Sequence, residues 1–336
     1  MRRNTPSTGA LLAAALLIAG CGSADHEGPS DAFEEPVVVE IGRGMSSMEI
    51  AEKLEATGVI ASKWGFLWER LWARSAKLMA GEYVFEGPIS AAEAFEKLAS
   101  GRVILYPLTI PEGLNRFEIA EIVASEGWST KEEFVALTAD PSLAKDILPE
   151  AKTLEGLLFP ETYNLAKTST VHDLLEAMLA GFRDALAAAR SQRTAEISDW
   201  DALVLASMIE KETERPDERG LVSSVFHNRL QRGMLMQCDP TIIYGLVLDG
   251  RYRGKIYLSD LSDPHAYNTY VHEGLPPGPI ANPGLMSLNS AFAPDESDYL
   301  FFCAKPGYGQ GHTFSTRLRD HNLAVQALRR HEQSLR

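Results

Sequence analysis

"LEGLLFPETY" occupies residues 154–163 of a 336-residue chain, in a region whose composition turns helical from Ser129. Before it, short β-branched runs alternate with capped helical stretches. After it, longer segments of helical periodicity take over. Within it Glu155, unlike Glu161 near its end, sits among apolar neighbours: Leu154, Leu157, Leu158 and Phe159. Two readings are open. Glu155 is a surface residue that caps or pairs while the leucines point inward. Alternatively it is a carboxyl group in apolar surroundings, where desolvation disfavours the charged form and lifts the pKa toward the range of a general acid. On this second reading Gly156 leaves space beside the carboxyl.

Working back from that stretch, residues 37–105 read as a small α/β unit. "VVVEI" (37–41) is a strand signal, and Ser46 or Ser47 caps a helix with Met48, Ile50, Ala51 and Leu54 on one face. "KWGFLWERLWA" (63–73) is a second, aromatic-rich helix, and "GEYVF" (81–85) is a strand. Ser90 opens a third helix that Gly101 stops, and "RVILYPLTI" (102–110) is a further strand. Ser129 with Glu132 has capping-box spacing for "KEEFVALTA" (131–139), which Pro141 ends.

At the N-terminus, Arg2 and Arg3 precede the apolar "ALLAAALLIA" (10–19), too short to span a bilayer well and closed by "IAGC" (18–21). The small residues before Cys21 resemble a bacterial lipobox, with Ile18 where leucine is usual. That implies cleavage and lipidation of Cys21; an uncleaved short anchor is the alternative. Residues 22–36 are acidic, lack Lys and Arg, and read as a solvated tether. Cys238 and Cys303 either pair or remain free thiols.

Downstream of the opening stretch, 170–190 and 199–213 have helical periodicity, and a further helix follows Pro216. Beyond Gly233, "TIIYGL", "RYRGKIYLSD" and "YLFFCA" read as strands and ordered loops, ahead of a C-terminal helix from about Leu318 to His331. The expected class is α+β, with the strand–helix unit followed by a mainly helical body over 106–336.

A formal charge of −14 excludes the basic face of a general nucleic-acid binder. There is no HExxH, paired CxxC, GxSxG or GxxxxGK[ST], so metal, nucleophile-elbow and phosphate-loop chemistry lack a signature. Carboxylate acid–base chemistry remains, with Glu155, Glu161, Glu210, Glu212, Asp239 and Asp263 as candidates. "AYNTYVHEGLPPGPIANPG" (266–284) is a proline-stiffened loop that suits a hydroxyl-rich ligand or merely braces a helix layer. His312 follows two glycines, where it touches a ligand or caps the next helix.

In order, "LEGLLFPETY", "ASMIEKETERPDERGLVSSVFHNRL", "GMLMQCDPTIIYG", "AYNTYVHEGLPPGPIANPG" and "GHTFSTRLRDHN" resemble the endolytic murein transglycosylases of the YceG-like, or MltG, family. The resemblance runs from about Val37 to the C-terminus. "IGRGMSSMEIAEKL" also resembles the opening of LysM peptidoglycan-binding modules. The family usually carries an N-terminal transmembrane helix, whereas this chain resembles a lipoprotein at Cys21, and the cysteine of "QCDP" is unusual there.

The resemblance implies cleavage of the β-1,4 bond between N-acetylmuramic acid and N-acetylglucosamine within nascent strands, leaving 1,6-anhydro ends. The family's catalytic glutamate falls on Glu155. Tyr163, Glu210, Gln237, Asp239, Asn268 and His312 are expected substrate contacts. No metal or cofactor is expected. Peptidoglycan strands, the membrane through Cys21 and peptidoglycan synthases are the expected partners, at the bacterial cell envelope. A muramidase with Asp239 or Glu210 as second carboxylate, and a non-catalytic LysM-type scaffold, are the competing readings.

Overall fold

The computed structural model of the chain describes residues 32–73, 75–307 and 309–335. The signal segment, Cys21 and most of the 22–36 tether lie outside them. Among the described residues no helix is long and apolar enough to cross a membrane. The chain is mixed α+β and divides into two compact units between Ile104 and Leu105.

The first unit runs β1 (Val37–Ile41), α1 (Ser47–Ala56), α2 (Lys63–Trp72), β2 (Gly81–Phe85) and α3 (Ala91–Ser100). β1 and β2 pair antiparallel with Val39 opposite Tyr83. Both α1 and α3 open on reciprocal capping boxes, Ser46 with Glu49 and Ser90 with Glu93, which satisfy amide groups the first turn leaves orphaned. Ile50, Ala51 and Leu54 of α1 reach the core beside Phe66, Phe85 and Leu98. Met48, expected on that face, is 40% exposed. The core side of α2 is narrow: Phe66 is buried and Leu67 packs part-buried against the core, while Trp64, Trp68, Leu71 and Trp72 face outward.

The second unit starts with β3 (Leu105–Thr109), the part of the expected 102–110 strand that forms, followed by α4 (Arg116–Ser125) and α5 (Lys131–Ala139). The α5 cap is Thr130, one residue beyond the expected Ser129; the Ser129 hydroxyl bonds the Glu133 carboxylate instead. β4 (Thr162–Ala166), which starts in the last two residues of the opening stretch, pairs antiparallel with β3, so Tyr163 stands opposite Leu108. Then follow α6 (Val171–Ser191), α7 (Asp199–Glu212), α8 (Arg219–Gln231), α9 (Asp239–Leu248) and α10 (Leu285–Phe292). The hairpin β5 (Phe301–Ala304) with β6 (His312–Ser315) and the helix α11 (Leu318–Ser334) close the chain.

α7 is buried without interruption from Ala202 to Ile209, as befits a helix apolar on all sides, and α10 packs against it and α6. "TIIYGL", expected as a strand or loop, is the body of α9: Asp239 and Pro240 start a helix, and the β-branched pair Ile242–Ile243 yields to tertiary packing. "RYRGKIYLSD" forms no strand, only loop running into a short 3-10 turn at Asp260–Ser262. α10, not anticipated, lies just past the proline-rich loop. Cys238 and Cys303 are both free thiols.

Candidate active site

The opening stretch is a tight turn feeding β4. Gly156 takes a left-handed φ of +83°, and the Leu157 amide donates to the Leu154 carbonyl at 3.1 Å. Leu154, Leu157 and Leu158 are fully buried. This geometry turns Glu155 inward with them, and it is 2% exposed. The room expected beside Gly156 is taken by Pro279, whose Cβ would lie 2.6 Å from an added side-chain carbon. The glycine thus serves backbone conformation and close packing, not access to the carboxyl.

Three neutral donors surround the carboxyl. The Arg116 backbone N–H donates to both Glu155 oxygens at 3.1 Å. That amide is available because Asn115, the N-cap of α4, accepts from the next two amides, Phe117 and Glu118. Tyr244 of α9 donates its hydroxyl to Oε2 at 2.9 Å, and Asn282 donates its amide to Oε1 at 2.9 Å. Asn282 is fully buried; it also accepts from the Leu158 amide at 2.9 Å and donates to the Leu114 carbonyl at 2.9 Å. One amide side chain therefore ties the Glu155 turn to the entry of α4.

Burial pushes the Glu155 carboxyl up to about 7 from 4.5, against the opposing pull of the Arg116 N–H, the Tyr244 hydroxyl and the Arg116 guanidinium. The guanidinium itself donates to the Val135 carbonyl at 3.0 Å and lies over the Phe117 ring. Tyr244 packs against Tyr267 with ring centroids 5.0 Å apart, and burial together with Glu155 raises its hydroxyl pKa. Near neutrality such a carboxyl both gives and takes a proton, the behaviour required of one group serving as acid and then base.

The other expected site residues are dispersed over several environments. Glu210 accepts from Arg219 at 2.8 Å and from the Gly284 amide at 2.9 Å. His312 donates its backbone N–H to Glu218 at 2.9 Å and pairs through Nδ1 with the other Glu218 oxygen at 2.7 Å. The N-cap of α11 is Arg317 and not His312. Glu210 and His312 line one open cavity that also takes in Glu212, whose carboxyl is pushed up by burial.

Asp239 accepts the Tyr270 hydroxyl at 2.6 Å. The neighbouring Gln237 is exposed at a φ of 52°. The Asn268 amide donates to the carbonyls of Asp260, Leu261 and Asp263, and its oxygen accepts from the Tyr270 amide, so it braces its own loop. The Tyr163 ring is core, with its hydroxyl on the Phe159 carbonyl at 2.5 Å. Of the expected set, none contacts the Glu155 carboxyl.

Arg116, Tyr244 and Asn282 are the partners that sequence reasoning missed. Tyr244 was hidden by reading α9 as a strand. Asn282 stood within the quoted proline-rich loop, and an amide between apolar Ala281 and Pro283 was its one available signal. Among the described residues no cluster of three or more His, Cys, Asp or Glu is arranged to hold a metal ion.

Comparison with known proteins adds to this geometry. The model of the YceG-like family matches residues 39–327. The chain is 31% identical over 307 residues to the endolytic murein transglycosylase of Bacillus subtilis, covering 86% of this chain and 84% of that one. It is 29% identical over 324 residues to the endolytic murein transglycosylase of Streptococcus pneumoniae, covering 86% of this chain and 58% of that protein. A solved YceG-like protein from Listeria monocytogenes is similar with a TM-score of 0.58 at 31% identity, covering 87% of this chain and 99% of that one.

Proposed function

Because the chain belongs to the YceG-like family, we propose that it is a peptidoglycan lytic transglycosylase that cuts glycan strands internally, with Glu155 as its single acid and base. The observation that carries this reading is the Glu155 carboxyl: buried, pushed up to about 7, and held only by neutral donors.

The reaction needs no water. Protonated Glu155 gives its proton to the glycosidic oxygen as the bond from the muramoyl anomeric carbon to that oxygen breaks. The sugar's own C6 hydroxyl then bonds to the anomeric carbon, and its proton returns to Glu155. The products are a 1,6-anhydromuramoyl end and a free 4-hydroxyl on N-acetylglucosamine. Because the nucleophile is tethered to the reacting carbon, one carboxyl suffices where hydrolysis calls for two. Glu210, with one oxygen on Arg219 and the other on the Gly284 amide, is not free to activate water, which favours this reaction over hydrolysis.

On this reading the protein works at the cell envelope. Lipidation of Cys21 would hold it at a membrane, with synthases of new strands as neighbours. The LysM-like first unit would add contact with the glycan.

Digestion of murein by wild type and by Glu155→Gln, read by mass spectrometry, tests the assignment. Wild type is expected to give anhydro ends, and Glu155→Gln to lose activity by roughly 10²- to 10⁴-fold. Reducing ends would replace the transglycosylase with a muramidase, and undiminished cleavage by Glu155→Gln would remove Glu155 from its role.

A further inference from the structure

An open cavity of about 680 Å³ lies in the second unit close to the Glu155 cradle. That is within the size of small-ligand sites, roughly 300–1,000 Å³. Glu155 is not part of its wall, yet the two share backbone. Gly113 lines the cavity and donates its N–H at 2.9 Å to the carbonyl of Asn282, the residue whose amide holds Glu155. Gly113 and Arg116, another of the three Glu155 donors, are three residues apart, so no more than about 11 Å of chain separates them.

The chemistry of the wall is ionic and of both signs. Glu112 and Glu214 supply carboxylates; Arg215 and Lys305 supply cations; Glu214 and Lys305 are exposed. Arg215, part of the wall, bonds Asp217 at 2.7 Å and the Gly309 carbonyl at 3.2 Å. Arg219 is 6% exposed, and its Nε has no hydrogen-bond partner. Among the described lining residues there is no Trp, Phe or Tyr on which a sugar ring could stack. Paired carboxylates and cations match a ligand that carries amino and carboxyl groups together, as a short peptide does, better than a neutral saccharide.

Resting on the murein-cleaving reading above, we propose that this cavity receives the stem peptide of the muramoyl residue at the cut, so that it selects peptide-bearing over peptide-free strands. The peptide branches from the same sugar whose anomeric carbon reacts. A cavity within a few residues of the Glu155 donors is therefore within its reach.

Measured separately, binding reports on the peptide site and cleavage on the reaction. The full chain carrying Glu155→Gln, in detergent, is titrated by calorimetry with glycan strands that retain their peptides and with strands stripped of them by an amidase. Peptide-bearing strands should bind about tenfold more tightly. Adding Lys305→Glu or Glu214→Lys should each cut that preference by roughly fivefold, the upper range for one exposed ion pair. Equal affinity for both strands, or a preference that neither charge reversal moves, overturns the cavity assignment even if wild type yields anhydro ends. Preferential binding without anhydro ends retains the peptide site and sinks the reaction instead.

Discussion

Glu155, 2% exposed, lies inside the second unit and Glu210, its side chain 5% exposed, lies at the wall of the open cavity, and their partners differ in kind. Glu210 meets a guanidinium at 2.8 Å and a backbone amide, so its charge is matched and it joins the end of α7 to α8 and to the start of α10. Glu155 meets an amide, a hydroxyl and a backbone N–H, none of which brings a compensating charge. Two little-exposed carboxylates thus become a structural tie in one place and a group poised to exchange protons in the other. Burial raises the Glu155 pKa because no charged donor offsets it, whereas Glu210 keeps a guanidinium beside it.

Breaking each site should therefore have opposite consequences. Arg219→Met strands the Glu210 charge in the interior and is expected to destabilise the protein by about 3–5 kcal/mol, read as a lowered unfolding midpoint in urea. An unchanged midpoint would remove the ion pair from the fold's support.

Glu155 should show the reverse through pH. Its folded pKa of about 7 stands above the ordinary 4.5, so between those values the folded state keeps a proton that the unfolded state has lost. Stability from this group therefore falls as pH rises through that window and levels off above it. Between pH 5 and pH 8 the wild type should lose about 2–3 kcal/mol more than Glu155→Gln, which has nothing to titrate there. Parallel stability–pH curves for the two proteins would contradict a raised folded pKa. The same proton sets the rate, so kcat/KM should decline as pH rises through about 7.

The smallest expected effect belongs to Tyr244→Phe, which removes one donor and leaves the ring packed on Tyr267. Activity should fall about tenfold, the equivalent of one buried hydrogen bond. Because the lost hydroxyl favoured the charged carboxylate, the alkaline limb of the rate profile should move to higher pH. A fall in rate with no movement of that limb would reduce Tyr244 to a packing role.

Much of the architecture was legible because it is written locally. Ser46, Ser90 and Thr170 each carry an acid three residues on, and each opens a helix through a reciprocal cap. The apolar period of 199–213 gave α7 almost to the residue. α9 was misread because a short apolar run with β-branched residues suits a buried strand as well as a buried helix. α10 was missed because its eight residues begin at Gly284 without a capping side chain. Among the expected contacts, polarity alone could not separate His312 and Glu210, at a cavity, from Asn268, consumed by its own loop, or Tyr163, in the core.

By itself the sequence determined that Glu155 lies in an apolar run, that a strand–helix region precedes a helical one, and which family the ordered motifs match. What it left open was whether that glutamate faces water or the interior, and what would meet it there. Those answers depend on Tyr244, 89 residues away, and on Asn282, 127 residues away. Local patterns record which residues prefer to be buried. The partner of a buried carboxyl, and hence whether it keeps its proton, is fixed only when distant segments pack together and each hydrogen-bonding group must find a match.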